Sequence, residues 1–419
     1  MTDAPQQPGP GAIPPAAAAP GGGASPANLP GVAAAFLKLG LSSFGGPVAH
    51  LAYFRREFVE RRRWLDDASY ADLVALCQFL PGPASSQAVF ALGMRRAGLA
   101  GALLGSACFI LPSAVLMILL GYGVASLGDL SRAGWIHGLK LAAVAVVAQA
   151  VWNMGTRLCP DWPRRVLALA STAAVLLLPG TASQVGAIAA CALAGWWGGR
   201  GAADADAGES APGLGRAHLW ALASLGAFAL LLVALPVLAG QTGSRGLAVF
   251  DGFYRAGALV FGGGHVVLPL LRAEVVPRGW VSDDMFLAGY GAAQAIPGPL
   301  FTFAAYLGTL IAHGPHAWAG GLLALLAIFL PGWLIVGGAY PFWHVLRARG
   351  WAQAALRGAN AAVVGILLAA LYRPVCTEGV RDYLDVAAVA VALVLLAKMR
   401  MPSWMLVALM GAAGQWLLR

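Results

Sequence analysis

A short glycine and proline pattern occurs twice in this chain, each time inside a stretch apolar enough to read as a membrane helix. The first copy is Phe44-Gly45-Gly46-Pro47, followed by Gln78-Phe79-Leu80-Pro81-Gly82-Pro83. The second is Phe261-Gly262-Gly263-Gly264, followed by Gln294-Ala295-Ile296-Pro297-Gly298-Pro299. Both residue types interrupt helices. A backbone group left unpaired in hydrocarbon costs several kcal/mol, so a broken helix persists there only where the freed groups face protein, water or a ligand. Breaks repeated at corresponding places in two halves point to a transport site.

Composition agrees. The 419 residues are 59% hydrophobic and 11% charged, where a soluble protein carries about a quarter charged residues. The expected fold class is an all-α polytopic membrane protein. A net charge of +9 would suggest nucleic acid in a soluble chain, but here the arginines sit in short loops between apolar runs and serve orientation, so nucleic-acid binding is set aside. Cys77, Cys108, Cys159, Cys191 and Cys376 form no CxxC pair, which indicates neither a disulfide framework nor a metal site. The lysines are Lys38, Lys140 and Lys398, and none completes a GxxxxGK nucleotide loop. With no HExxH or GxSxG either, the chain reads as a non-enzyme without a cofactor, drawing on a gradient or the membrane potential unless a partner subunit hydrolyses ATP.

Residues 1–30 are mostly Pro, Ala and Gly with one acidic residue and no Lys or Arg, an expected disordered tail. Apolar segments follow near 32–58, 68–94, 98–127, 135–153, 164–179 and 181–198, then a polar linker near 199–216 and an unmatched apolar segment near 218–240. A second set lies near 248–272, 284–312, 317–346, 355–373, 383–398 and 402–418. The sets align as repeats. A shift of 217 places Lys38 on Arg255, Gly45 on Gly262, Arg55 on Arg272 and Glu57 on Glu274, and a shift of 216 places Trp64 on Trp280, Gln78 on Gln294 and Pro81 on Pro297. The expected domains are a first repeat over 31–198, a linker with a connecting helix over 199–240, and a second repeat over 241–419.

Loop charge bears on orientation. With Lys38, Lys140 and Arg255 set aside as intramembrane, full crossing by every segment splits the remaining basic residues 10 to 14, whereas hairpins returning at each break split them 17 to 7. The positive-inside rule then favours two re-entrant hairpins per half, inverted halves, a cytoplasmic N-terminus and an external C-terminus. Re-entry of the proline segments alone scores similarly with parallel halves.

Candidate anion-binding residues cluster at the breaks: Gly45, Gly46, Pro81, Gly82 and Pro83 in one half, and Gly262, Gly263, Pro297, Gly298 and Pro299 in the other. Ser85 and Ser86 open the half-helix after Pro83, where exposed N–H groups favour an anion. Lys38 and Arg255 are duplicated cations two turns before their glycine breaks, at a depth where each costs roughly 2.5 to 3.5 kcal/mol unless water or an anion meets it; snorkelling to an interface is the other reading. Lys140, aligned with Asn360, is a weaker candidate. Arg55 with Glu57 and Arg272 with Glu274 read as gating pairs or as charged helix ends at the interface, with Gln78 and Gln294 as supporting polar groups. His50 and His265 lie near the breaks, where packing histidines are the commoner outcome.

The run from Phe36 through Phe44-Gly45-Gly46-Pro47, Arg55, Trp64 and Pro81-Gly82-Pro83, and its second copy from Phe253 to Pro299, resemble the chromate ion transporter family in its long, two-domain form. The resemblance covers residues 31 to 419. The second copy departs from it by carrying Gly264 where the first has Pro47. Membership implies a multi-pass protein of the plasma membrane that exports chromate and confers chromate resistance, with sulfate as the alternative anion and a homodimer as a compatible assembly. Import or exchange of sulfate or another oxyanion, an anion-selective channel, and a non-transporting scaffold are the competing readings.

Overall fold

The computed structural model describes residues 28–126, 134–178, 180–199, 216–261, 263–343 and 349–417. The expected N-terminal tail up to residue 27, most of the polar linker, and Gly262 lie outside the described residues.

The chain starts with a half-length helix. α1 (Leu29–Ser42), with Pro30 in its first turn, stops at the first glycine break, and α2 (Gly46–Phe54) restarts after Gly45 and widens into a π-helical turn over Arg55–Arg61. Gly45 has φ +95°, which a residue with a Cβ rarely adopts. α3 (Asp67–Phe79) is capped by Asp66, whose side chain accepts from the Ser69 N–H, and it stops at the proline break. α4 (Ala84–Ser126) bends at Ala97–Gly98 into a short limb and a long one. α5 (Gly134–Leu158) follows, then α6 (Trp162–Leu177) and α7 (Thr181–Gly198). Asp161 caps α6, and its hydrogen bonds with Arg164 hold its carboxyl below the usual carboxylate range.

The second half repeats this order after α8 (Arg216–Thr242). It comprises α9 (Arg245–Ala258), α10 (Val267–Val275), α11 (Asp283–Ala293), α12 (Phe303–Ala312), α13 (Ala317–Ala339), α14 (Gly350–Ala370), α15 (Tyr383–Ala397) and α16 (Ser403–Leu417). Among the described residues, α4, α5, α8, α13 and α14 carry segments long and apolar enough to cross a membrane. α1 and α3, at 14 and 13 residues, are only about 20 Å long and cannot cross a core of about 30 Å alone. The stretches 32–58 and 284–312, each read from sequence as one apolar segment, are thus broken into shorter helices.

Contacts fix which ends lie together. The Asn28 side chain donates to the Arg96 carbonyl at 3.1 Å, and the Arg96 guanidinium lies over the Trp64 ring, 5.4 Å from its centroid. α3 and the short limb of α4 therefore form a hairpin whose open end lies at one end of the molecule. The long limb of α4 runs away from it. Near its far end the Tyr122 hydroxyl donates to the Pro315 carbonyl and accepts from the Trp318 N–H, both at 2.9 Å. α13 runs back from there to Tyr340, whose hydroxyl accepts from Arg95 at 3.4 Å.

Glycines set the close helix crossings, first within each half and then between the halves. A methyl group on Gly40 would lie 2.7 Å from the Phe109 carbonyl oxygen, and one on Gly257, its repeat mate, would meet the carbonyl of Ile328. α14 packs on α6 and α7 of the first half, and α15 and α16 pack on α5. At these crossings Gly358 abuts the Cys191 carbonyl and Gly138 the Met410 carbonyl. Each half thus completes the other. α8 is held to α13 by Ser224, whose hydroxyl donates to the Leu334 carbonyl at 2.8 Å, while most of its surface stays exposed.

Candidate functional site

The breaks of the two halves satisfy each other. The Gly82 N–H donates to the Val260 carbonyl at 2.7 Å, and the Gly298 N–H donates to the Ser43 carbonyl at 2.8 Å. Each bond joins a proline break of one half to the glycine break of the other, which answers where the freed backbone groups go. The surroundings are duplicated too. A Cβ on Gly82 (φ +121°) would lie 3.3 Å from Gly332 Cα, and one on Gly298 (φ +101°) would lie 2.7 Å from Ser113 Oγ. Gln87, in the first turn of α4, donates to the carbonyls of Pro81 at 2.7 Å and Gly332 at 3.4 Å, so its amide closes the break.

Beside this junction lies a cavity of about 610 Å³. Its wall takes Gly45, Gly46, Gln78 and Gly82 from the first half and Gly263, Gly264, His265, Gln294 and Asn360 from the second. One face of α5, from Val146 through Gln149, Ala150, Asn153 and Met154 to Arg157 and Leu158, forms another side, and Met401, Pro402 and Ser403 close it. Gln78, Asn153 and Arg157 are exposed at the rim, whereas Val146, Ala150 and Cys77 are buried. Two buried polar atoms in the wall, Gln294 Nε2 and Asn360 Oδ1, have no hydrogen-bond partner among the described residues. His265 Nδ1 is 2.8 Å from the Tyr290 hydroxyl.

The structure places the sequence candidates in two groups. Gly45, Gly46, Gln78, Gly82, Gly263 and Gln294 line the cavity. Ser85 and Ser86 are buried behind the break, and Lys38 and Arg255 close ion pairs outside the cavity wall. Lys38 Nζ is 2.9 Å from Glu57, which also takes Arg62 at 2.7 Å and Arg61 at 3.3 Å. Arg255 is 2.7 Å from Asp251 and 3.2 Å from Glu274, and Glu274 also takes Arg278 at 3.1 Å. The expected pairings of Arg55 with Glu57 and of Arg272 with Glu274 are corrected. Positions two apart point to different faces of a helix, so Arg55 reaches Asp67 at 2.8 Å and Arg272 reaches Asp283 at 2.7 Å. Lys140 is buried in an ion pair with Asp284. His50 is buried outside the cavity wall.

Sequence reasoning passed over Arg157. Ending the apolar segment at 153 left it in a loop, whereas α5 continues to Leu158 and carries it on the cavity face. The available signal was the spacing Gln149, Asn153, Arg157, polar at every fourth position of an apolar helix.

A largely apolar bundle of broken helices around a cavity lined by glycines, amides and one arginine among apolar side chains is the architecture of an integral membrane transport protein. The family model described as chromate transporter matches residues 31–196 and 247–415. The chain is 30% identical over 358 residues to the chromate transport protein of Pseudomonas aeruginosa, covering 82% of this chain and 80% of that protein. It is 28% identical over 371 residues to the chromate transport protein of Cupriavidus metallidurans, covering 86% and 85%, and 29% identical over 324 residues to a probable chromate transport protein of Synechococcus elongatus, covering 72% of each. No solved structure matches. The chain belongs to the chromate transporter family.

Proposed function

We propose that this protein is a secondary transporter that exports chromate across the plasma membrane and so confers chromate resistance. The observation that carries the reading is the cavity walled by the breaks of both halves: Gly45, Gly46 and Gly82 face Gly263, Gly264 and Gln294 across one space. In the relatives named as chromate transport proteins the cargo is a tetrahedral oxyanion, and backbone and amide groups at broken helices suit such a ligand.

The halves are inverted in this reading. What supports it is that the turn between the limbs of α4 and its counterpart between α12 and α13 lie at opposite ends of the long limb of α4, one beside Trp64 and the other beside Tyr122. The end that gathers Arg61, Arg62, Arg63, Arg95 and Arg96 is the cytoplasmic one by the positive-inside rule. α3 then enters from the cytoplasm and the short limb of α4 returns to it. Arg157 reaches Gln78 in the last turn of α3, so the cation stands at the depth of the joined breaks, where an anion entering the cavity meets it.

Direct flux decides among the alternatives. In everted vesicles, labelled chromate is expected to enter under an imposed potential and to be stimulated by unlabelled chromate on the opposite side, a counterflow that a channel does not show. Preference for sulfate over chromate assigns the protein to another oxyanion, flux without counterflow makes it a channel, and absence of flux for every oxyanion makes it a scaffold.

A further inference from the structure

We propose that Arg157, with Gln78 beside it and Asn153 and Gln149 on the next two turns of α5, forms the seat that binds the transported anion as a tetrahedral dianion. This rests on the transport reading above and names the residues it needs.

Charge compensation carries the argument. The cations expected from sequence to attract an anion are each paired with a carboxylate of the protein: Lys38 with Glu57, Arg255 with Asp251 and Glu274, and Lys140 with Asp284. Arg157 differs from all of them. Its Nη2 donates to Gln78 Oε1 at 2.7 Å, a neutral amide, and no carboxylate of the described residues lies within ion-pair distance. Among the described residues of the cavity wall it is the one with a permanent charge. The bond to Gln78 also sets direction, since an amide whose oxygen is taken turns its NH₂ outward as a donor.

Geometry extends the seat inward. Gln149, Asn153 and Arg157 recur every fourth residue, so they stand on one face of α5 and span about 12 Å from the middle of the helix to the rim. Also in the wall is Gln294, the repeat mate of Gln78, whose buried Nε2 meets no hydrogen-bond acceptor in good geometry among the described residues. A tetrahedral dianion presents four acceptor oxygens and no donor. A guanidinium fork flanked by amide donors, with no carboxylate in the wall, matches that pattern and disfavours cations.

The test is chromate transport kinetics in everted vesicles with Arg157→Gln, Arg157→Lys and Gln78→Glu, each checked for monodispersity after solubilisation. Arg157→Gln is expected to raise KM about tenfold or more, Arg157→Lys to recover part of it by keeping the charge without the fork, and Gln78→Glu to match Arg157→Gln by placing a carboxylate against the guanidinium. If the unmutated protein moves chromate and Arg157→Gln keeps its KM, the seat is wrong while the transport reading stands. If the unmutated protein moves no chromate, calorimetric titration of sulfate into the purified protein isolates the seat: binding abolished by Arg157→Gln upholds it, and binding that is absent or indifferent to Arg157 overturns it.

Discussion

At Gly82 and Gly298 one hydrogen atom stands where any other residue would put a carbon. The positive φ at both positions strains a side chain by about 1 to 3 kcal/mol, and the added methyl would press on Gln87 Nε2 in one case and Ser113 Oγ in the other, each 2.7 Å away. Gly82→Ala and Gly298→Ala should therefore insert normally and lose most transport, because the bonds from these N–H groups to Val260 and Ser43 tie the two halves together; full-rate transport by well-expressed Gly82→Ala would reduce the break to packing. The carboxylates make a second, graded case. Glu274 is 2% exposed and holds Arg255 and Arg278, which are 22% and 38% exposed, whereas two of the three cations on Glu57, Lys38 and Arg61, are 49% and 65% exposed and the third, Arg62, is 28% exposed. Glu274→Gln should cost about 3 kcal/mol or more, since it leaves a half-buried guanidinium short of charge, and Glu57→Gln should cost less because water screens its partners. Thermal unfolding in detergent checks the order, and equal losses would contradict it. The identity of these residues was legible in the sequence, but their partners were not. Glu57 finds Lys38 only after the glycine break folds α2 back beside α1, a tertiary fact that no spacing encodes.

Elements were more legible than contacts. Glycine and proline act on the backbone locally, and helices end at Ser42, Phe79, Ala258 and Ala293, each within a few residues of a glycine or proline motif. The crossing of α14 onto α6 and α7, and of α15 and α16 onto α5, was invisible, because a stripe of small residues such as Gly138 and Gly358 states that something comes close without saying which helix. Arg157 was hidden by a boundary: hydropathy fades at the helix end before the helix does. The hairpin of α3 with the short limb of α4 yields a topological prediction. Single cysteines at Arg61 and Arg95, in a background lacking Cys77, Cys108, Cys159, Cys191 and Cys376, should both escape an impermeant reagent added outside intact cells. Labelling of one but not the other would mean that the hairpin crosses.

For the molecule as a whole, the pattern of charge bears on direction. Chromate near neutral pH is largely a dianion, and each charge moved across the membrane exchanges roughly 2.3 kcal/mol per 100 mV. Outward movement of two charges from a negative interior therefore gains about 4.6 kcal/mol per 100 mV, more than a thousandfold in accumulation. A permanent cation in the wall of the cavity at the joined breaks fits an anionic cargo that moves with this term. The central claim is that the potential drives the anion through the cavity at the joined breaks. Labelled chromate uptake into everted vesicles, with an interior-positive potential imposed and then collapsed while pH and counter-anions are held equal on both sides, tests it most directly. The account predicts accumulation that rises with the potential and falls toward the passive rate when it is collapsed; an undiminished rate at zero potential, with no pH gradient and no counter-anion, would contradict it.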